Sequence, residues 1–404
     1  MIEKNRQSEG AFSPSLLLIV CSCLCVLIQL IALPYRIESL MALSNRVLMV
    51  VWFLGVGFVL FCRFSKPVSQ KMGSILLVLS LSLLAWLVAA LEKPGMAMDN
   101  LMATIGFLLL PMMLCYAAFF EIDERAKTVV CTSAILYSVL FIWLYHSDKR
   151  HVFEGPYGIE QVEAVTLGYA NPNQTAMYLF LCVVTLFCAF FYFKSRLLKL
   201  LVAADGCYIL WILQQTESRT AILLFAMFAV LALLMRKRDI PSFIIGLSVL
   251  LPVIYILLIP LIANSGYEIS FMGENIFTGR ENIFDRYFQS LNIVSLFFGN
   301  MNEFQFANLH NGYIAVAASV GAITCLSYIV CIKTSLIGNC PDEHTPTYAR
   351  VAFFAFLCVI AYTSSEAAFL VGGSNFAFMV FSIVVLFANP FATSCQTERN
   401  TICG

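Results

Sequence analysis

The chain has 404 residues, 60% of them hydrophobic and 12% charged, with 24 basic and 24 acidic side chains. That composition excludes a soluble globular domain, and a net charge of zero gives no sign of a nucleic-acid partner. Apolar runs of about 20 residues, enough to cross a bilayer's hydrocarbon core, recur throughout and leave no polar block for a separate soluble domain. The expectation is an all-α polytopic membrane protein in which residues 1–404 form one integral membrane domain.

Twelve spans are predicted in chain order: 13–34, 44–62, 74–92, 100–120, 128–146, 173–193, 197–214, 220–235, 241–263, 311–332, 348–370 and 374–389. The first is too long, and too uncharged at its start, for a cleaved signal, and is expected to persist as a helix. Spans seven and eight are short, and span seven carries Asp205. With the N-terminus inside, sixteen of the 24 Lys and Arg fall in inner segments and eight in outer ones, which predicts N-in and C-in. None of the fifteen cysteines falls in a predicted outer loop; Cys340, Cys395 and Cys403 lie in inner segments. This fits an outer face in an oxidising periplasm, or a Gram-positive exterior. No CxxC pair or His/Cys cluster suggests a metal, and the closely spaced Cys21, Cys23 and Cys25 read as packing residues.

The inner loops are short and basic, whereas two outer loops are long, 147–172 and 264–310. Long loops without obvious regular structure are usually functional or disordered. Within the second, apolar residues at near-helical spacing predict an interfacial helix over Gly279–Phe298. Between the first loop and span six, Asn173 is the expected helix cap and Pro172 the end of the loop. No internal repeat is evident, which weakens a transporter built on repeated halves.

Three positions on the outer face carry the chemistry. Arg219 stands in TESRTAILL, at the turn into span eight. It either snorkels to the headgroups or binds a phosphate with its planar fork, with Ser218 and Thr220 as added donors or caps. Arg280 stands in FTGREN, with Thr278 as a helix cap and Gly279 permitting close approach of the backbone to a ligand. Arg286 is either a second phosphate contact or the ion-pair partner of Glu281 or Asp285. His310 opens HNGYIAVAASVGAIT at the outer end of span ten, where its near-neutral titration suits the activation of a sugar hydroxyl. Asn311 is expected to orient the ring or a sugar hydroxyl. Gly321, eleven residues on, returns to within roughly 20° of the His310 face of a continuous helix and would admit a close neighbour. Glu366 either orients His310 or the acceptor, or simply ends span eleven in water.

Taken together, these residues resemble the O-antigen ligase and polymerase superfamily, membrane glycosyltransferases that use undecaprenyl-diphosphate-linked glycans. His310, Asn311, Gly321 and Thr324 match the ligase pattern of His, then Asn, Ser or Gln, nine residues, Gly, two residues, and Gly, Thr or Tyr. Arg219 and Leu223 match the group's Arg-x-x-x-Leu, and Gly279, Arg280, Phe298 and Gly299 match its Gly-Arg and later Phe-Gly. The resemblance covers mainly residues 210–390. It implies His310 as base and Arg219 and Arg280 as diphosphate ligands, without a metal or other cofactor. The implied product is an inverted glycosidic bond, made at the periplasmic face of a bacterial inner membrane. The donor would be an undecaprenyl-diphosphate-linked glycan. A ligase would use lipid A–core as acceptor, and a polymerase a second lipid-linked repeat, which GYANPNQTA also suits. A transporter or flippase of a polar lipid, with Asp205 as a proton-linked carboxylate, is the reading from another class.

Overall fold

The computed structural model describes residues 14–63, 70–119, 122–150, 152–157, 160–235, 242–264, 270–271, 274–275, 280–303, 309–342, 344–371 and 373–388. The first nine helices are α1 (Pro14–Ala32), α2 (Glu38–Arg63), α3 (Gln70–Glu92), α4 (Ala97–Phe119), α5 (Glu124–His146), α6 (Pro172–Tyr192), α7 (Arg196–Gln214), α8 (Arg219–Met235) and α9 (Ser242–Asn264). They are followed by α10 (Arg280–Gln289), α11 (Ile293–Phe298), α12 (Gly312–Val320), α13 (Ala322–Gly338), α14 (Thr347–Tyr362), α15 (Ala368–Val371) and α16 (Ser374–Phe387). Eight of the described helices, α1 to α7 and α9, are long and apolar enough to cross a membrane. The apolar helices α8, α13, α14 and α16 are shorter, at 14 to 17 residues.

Burial sorts the helices into a centre and a rim. Every residue of α16 is buried, as is α14 from Ala349 to Tyr362, and most of α6. A helix that is apolar all round belongs in such a centre. The rim helices turn apolar side chains outward instead: Leu197 on α7 is 77% exposed and Leu223 on α8 is 71% exposed. Lipid gives no hydrophobic drive between helices, so close packing and polar bonds hold them together, at about 0.6 kcal/mol per interhelical hydrogen bond. Tyr178 on α6 stacks on Phe376 of α16 at 4.2 Å, and the Asn375 amide donates to the Tyr178 hydroxyl. Gln29 on α1 donates to Ser374 (3.2 Å), Ser374 donates to Asn45 on α2, and Trp52 donates to Ser22 (3.0 Å).

Helix ends gather at two poles. At one, the α1–α2 turn, the long segment after α5 and the α7–α8 turn touch. Gly168 packs on Pro34, Tyr169 donates to the Leu30 carbonyl (3.0 Å), and the Val165 N–H donates to the Gln215 carbonyl (2.9 Å). At the other, Lys127 at the start of α5 pairs with Glu124 (2.6 Å) and bonds the Tyr348 hydroxyl of α14 (3.3 Å).

Four local expectations are corrected. The loop 147–172 is not irregular: β1 (Val152–Tyr157) and β2 (Glu160–Val165) pair antiparallel, from Val152 with Val165 to Tyr157 with Glu160. Asn171, not Asn173, caps α6 through the Gln174 N–H (2.8 Å), because Pro172, lacking an N–H, takes the first helical position. The interfacial helix over Gly279–Phe298 is two helices, α10 and α11, separated by a turn at Ser290–Leu291; Asn292 and Ser295 form a reciprocal cap on α11. In the same loop a two-residue ribbon pairs β3 (Ser270–Phe271) with β4 (Glu274–Asn275). Spans ten and eleven are interrupted, at Gly321 and after Tyr362, and these breaks shape the candidate site.

Candidate functional site

The site grows from a helix start that ties three helices together. Asn311 is 0% exposed. Its Oδ1 accepts from the N–H groups of Tyr313 (2.9 Å) and Ile314 (3.1 Å), capping α12. Its Nδ2 donates to the carbonyls of Pro252 on α9 (3.2 Å) and Ser364 beyond α14 (3.0 Å). One bond further on, the Gly312 N–H donates to the Thr363 carbonyl (2.7 Å). A Cβ on Gly312 would press on Leu370 and Thr363, so glycine permits this contact. The Asn311 amide is fully spent. It does not orient a histidine ring or a sugar; it fixes the backbone next to His310.

His310 is half-buried and has a φ of +46°. A left-handed residue with a Cβ costs about 1–2 kcal/mol. The bonds of Asn311 and Gly312 hold the chain there, and strain held by surrounding structure is a mark of functional positions. Pro252 lies twelve residues before the end of α9, roughly 18 Å along its axis. Asn311, and His310 next to it in the chain, therefore lie against the middle of α9 rather than at the mouth of a spanning helix.

The glycine of the motif has a different task from the expected one. Gly321 is not on the His310 face of a continuous helix; it ends α12 with a φ of +93°, and α13 starts at the next residue. The Cys325 thiol reaches the Tyr313 carbonyl at 3.3 Å, although twelve residues of continuous helix would separate them by roughly 18 Å. So α13 folds back along α12. The reversal is locked by a backbone crossing. A Cβ on Gly321 would overlap the backbone of Phe297 and Phe298, and a Cβ on Gly299 (φ +72°) would overlap that of Ser319 and Val320. The Asn300 N–H completes the crossing by donating to the Ala318 carbonyl (2.6 Å). From there Asn302 donates to the Ala89 carbonyl (3.2 Å) and accepts from Asn100 (2.8 Å), so this end of α12 lies at the α3–α4 turn.

Arg219 is the first residue of α8 and is exposed. The turn before it is rigid: β2 bonds Gln215, the Thr216 hydroxyl returns to the Leu213 carbonyl (2.7 Å), and Glu217 has a φ of +54°. Ser218 is buried, and its carbonyl accepts the Ile222 N–H (3.2 Å). Arg280 is the first residue of α10; Thr278 and Gly279 lie outside the described residues. Helix α10 lies on α9, with the fully buried Phe284 edge-on to Tyr255 (6.4 Å). Arg286 is exposed and makes no ion pair with Asp285. Glu366, half-buried, sits two residues after the Ser364 that receives the Asn311 amide, and its N–H donates to the Tyr362 carbonyl (3.1 Å).

The common support of these residues is the pair α9 and α14. Helix α8 packs along α14, α10 along α9, and α12 bridges both through Asn311 and Gly312. Elements carrying His310, Arg219, Arg280 and Glu366 therefore meet one hub. The sequence missed Pro252, Thr363, Ser364 and Asn300 because their backbone groups, not their side chains, do the work. Tyr287 on α10 is no rival base: burial pushes its phenol up to about 12. Asp205, midway along α7, accepts from the Ser138 hydroxyl of α5 (3.0 Å), away from this hub. Among the described residues no three His, Cys, Asp or Glu side chains group as metal ligands. No known protein family, curated protein or solved structure matches the chain.

Proposed function

We propose that this protein is a twelve-span, N-in and C-in glycosyltransferase of a bacterial inner membrane, working at the periplasmic face. In this reading it moves an undecaprenyl-diphosphate-linked glycan onto lipid A–core, as an O-antigen ligase does. The observation that carries the reading is His310, held in a left-handed backbone by Asn311 on the hub to which α8 and α10 also attach. An acceptor hydroxyl attacks the anomeric carbon from the face opposite the diphosphate. The new C–O bond forms as the bond to the diphosphate oxygen breaks, so the configuration inverts. His310 takes the hydroxyl proton. Arg219 and Arg280, each opening a helix, stabilise negative charge growing on the departing diphosphate. The chemistry named here uses no metal.

A polymerase would use the same groups and differ only in acceptor. Purified protein in liposomes with lipid-linked glycan, with and without lipid A–core, tests the reading. Transfer to core is the expected result. Chain extension without core makes the protein a polymerase, and neither product with an intact donor overturns the proposal and returns attention to Asp205 and transport.

A further inference from the structure

At the pole where the segment after α5 meets the α1–α2 and α7–α8 turns, the ends of α1, α5 and α7 build an aromatic rim set with cations. Tyr35, just past α1, stacks with Trp143 of α5 (5.9 Å). Tyr145 meets Trp211 of α7 edge-on (5.1 Å), Trp211 meets Tyr208 (5.4 Å), and the Tyr208 hydroxyl bonds His146 Nε2 (2.6 Å). The Lys149 ammonium sits 4.8 Å from the Tyr35 ring centre and the Arg150 guanidinium 4.6 Å from that of Tyr145. One short turn fixes both cations: Ser147 caps it through the Lys149 N–H (3.0 Å), and the Arg150 N–H returns to the Ser147 carbonyl (3.3 Å). Asp148 offsets part of this charge, 3.6 Å from Lys149.

We propose that this rim is a binding site for the headgroup of an anionic phospholipid. Trp143 and Trp211 are each nearly half exposed, on parts of α5 and α7 left open by the other described residues. At the end of a spanning helix such faces meet glycerol and upper acyl chains. Directly above them stand Lys149 and Arg150, positioned by ring faces and a short turn rather than left on free stems. A phosphate with a lipid body matches that order of apolar wall and fixed cation, and the charge surplus over Asp148 selects an anionic head. The site leads into the hub's neighbourhood, since β1 begins two residues after Arg150 and β2 ends on Gln215, four residues before Arg219.

The test is native mass spectrometry of the full chain released from bilayers of equal phosphatidylglycerol and phosphatidylcholine. Wild-type protein should retain phosphatidylglycerol in excess. K149Q/R150Q should lose that excess by about five-fold or more for each charge removed, whereas K149R/R150K should keep it. Helix content by circular dichroism checks that the variants are folded. If K149Q/R150Q does not fold, wild-type protein in about 0.5 M salt serves instead, where screening must reduce the excess. No phosphatidylglycerol preference in wild type, or an unchanged excess in folded K149Q/R150Q, overturns the proposal. So does displacement of that lipid by an equal amount of polyprenyl diphosphate, which would make the rim a donor site. Lipid retention is read without glycan transfer, so this result and that of the proposed function fail independently.

Discussion

Replacing Asn311 separates the two things its side chain does. Asn311→Ala removes the cap on α12, which costs about 1 kcal/mol. It also leaves the carbonyls of Pro252 and Ser364 without their donor, at about 1 kcal/mol each. The expected loss is about 3 kcal/mol, shared between folding stability and the placement of His310. Asn311→Asp is nearly isosteric and keeps the acceptor that caps Tyr313 and Ile314. Its second oxygen, however, faces two carbonyl oxygens where an amide donated before. The buried repulsion should make Asp at least as destabilising as Ala at neutral pH, although Asp is the better cap in isolation. Unfolding by SDS in mixed micelles, followed by circular dichroism, measures both. If Asn311→Asp lies within about 0.5 kcal/mol of wild type, a scatter typical of neutral substitutions, the clamp reasoning is wrong.

The other substitutions probe different supports. Gly299→Ala and Gly321→Ala each put a Cβ into backbone at a left-handed residue and should cost about 1–3 kcal/mol. Because the two glycines bracket one crossing, the double variant should lose less than the sum, measured by the same unfolding cycle. Arg219→Ala should lower the rate of glycan transfer by about 10²–10³-fold, as for loss of one donor to a developing anion, with Arg219→Lys recovering part of it. An unchanged rate in Arg219→Ala removes Arg219 from the mechanism. In the α13–α14 loop, the Thr345 hydroxyl, with backbone N–H groups, holds the Asp342 carboxyl below the usual range. A lowered folded pKa contributes stability above the unfolded value near pH 4, lost as pH falls through the folded value. Asp342→Asn should flatten that acid limb in an unfolding series, and an unaltered limb would contradict the assignment.

Helices α1 to α7 and α9 were legible because their apolar runs are about as long as a bilayer is thick and are separated by charged or loop residues. The break at Gly321 was not, because GYIAVAASVGAITCLSYIV is apolar without a gap and a single glycine inside a span is normally tolerated. Only the crossing with Gly299, twenty-two residues earlier in the chain, turns that glycine into a hinge. Asn311 looked like a substrate contact because its partners are main-chain carbonyls on distant helices, invisible to residue types. The choice between Asn171 and Asn173 turned on where Pro172 fits in the first helical turn. The β1–β2 hairpin was hidden by a Gly-Pro pair and by glutamates placed opposite one another, Glu154 with Glu163. In the candidate site, sequence spacing picked out the side chains, while the backbone strain at His310 comes from contacts it does not encode.

The central claim is that His310 accepts a proton during sugar transfer, and single-turnover transfer by His310→Ala and His310→Gly tests it most directly. Both should bind the lipid-diphosphate-linked donor and transfer no glycan. Gly should be the more stable of the two by about 1 kcal/mol, since it relieves the left-handed backbone. Transfer at the wild-type rate by either folded variant would contradict the account.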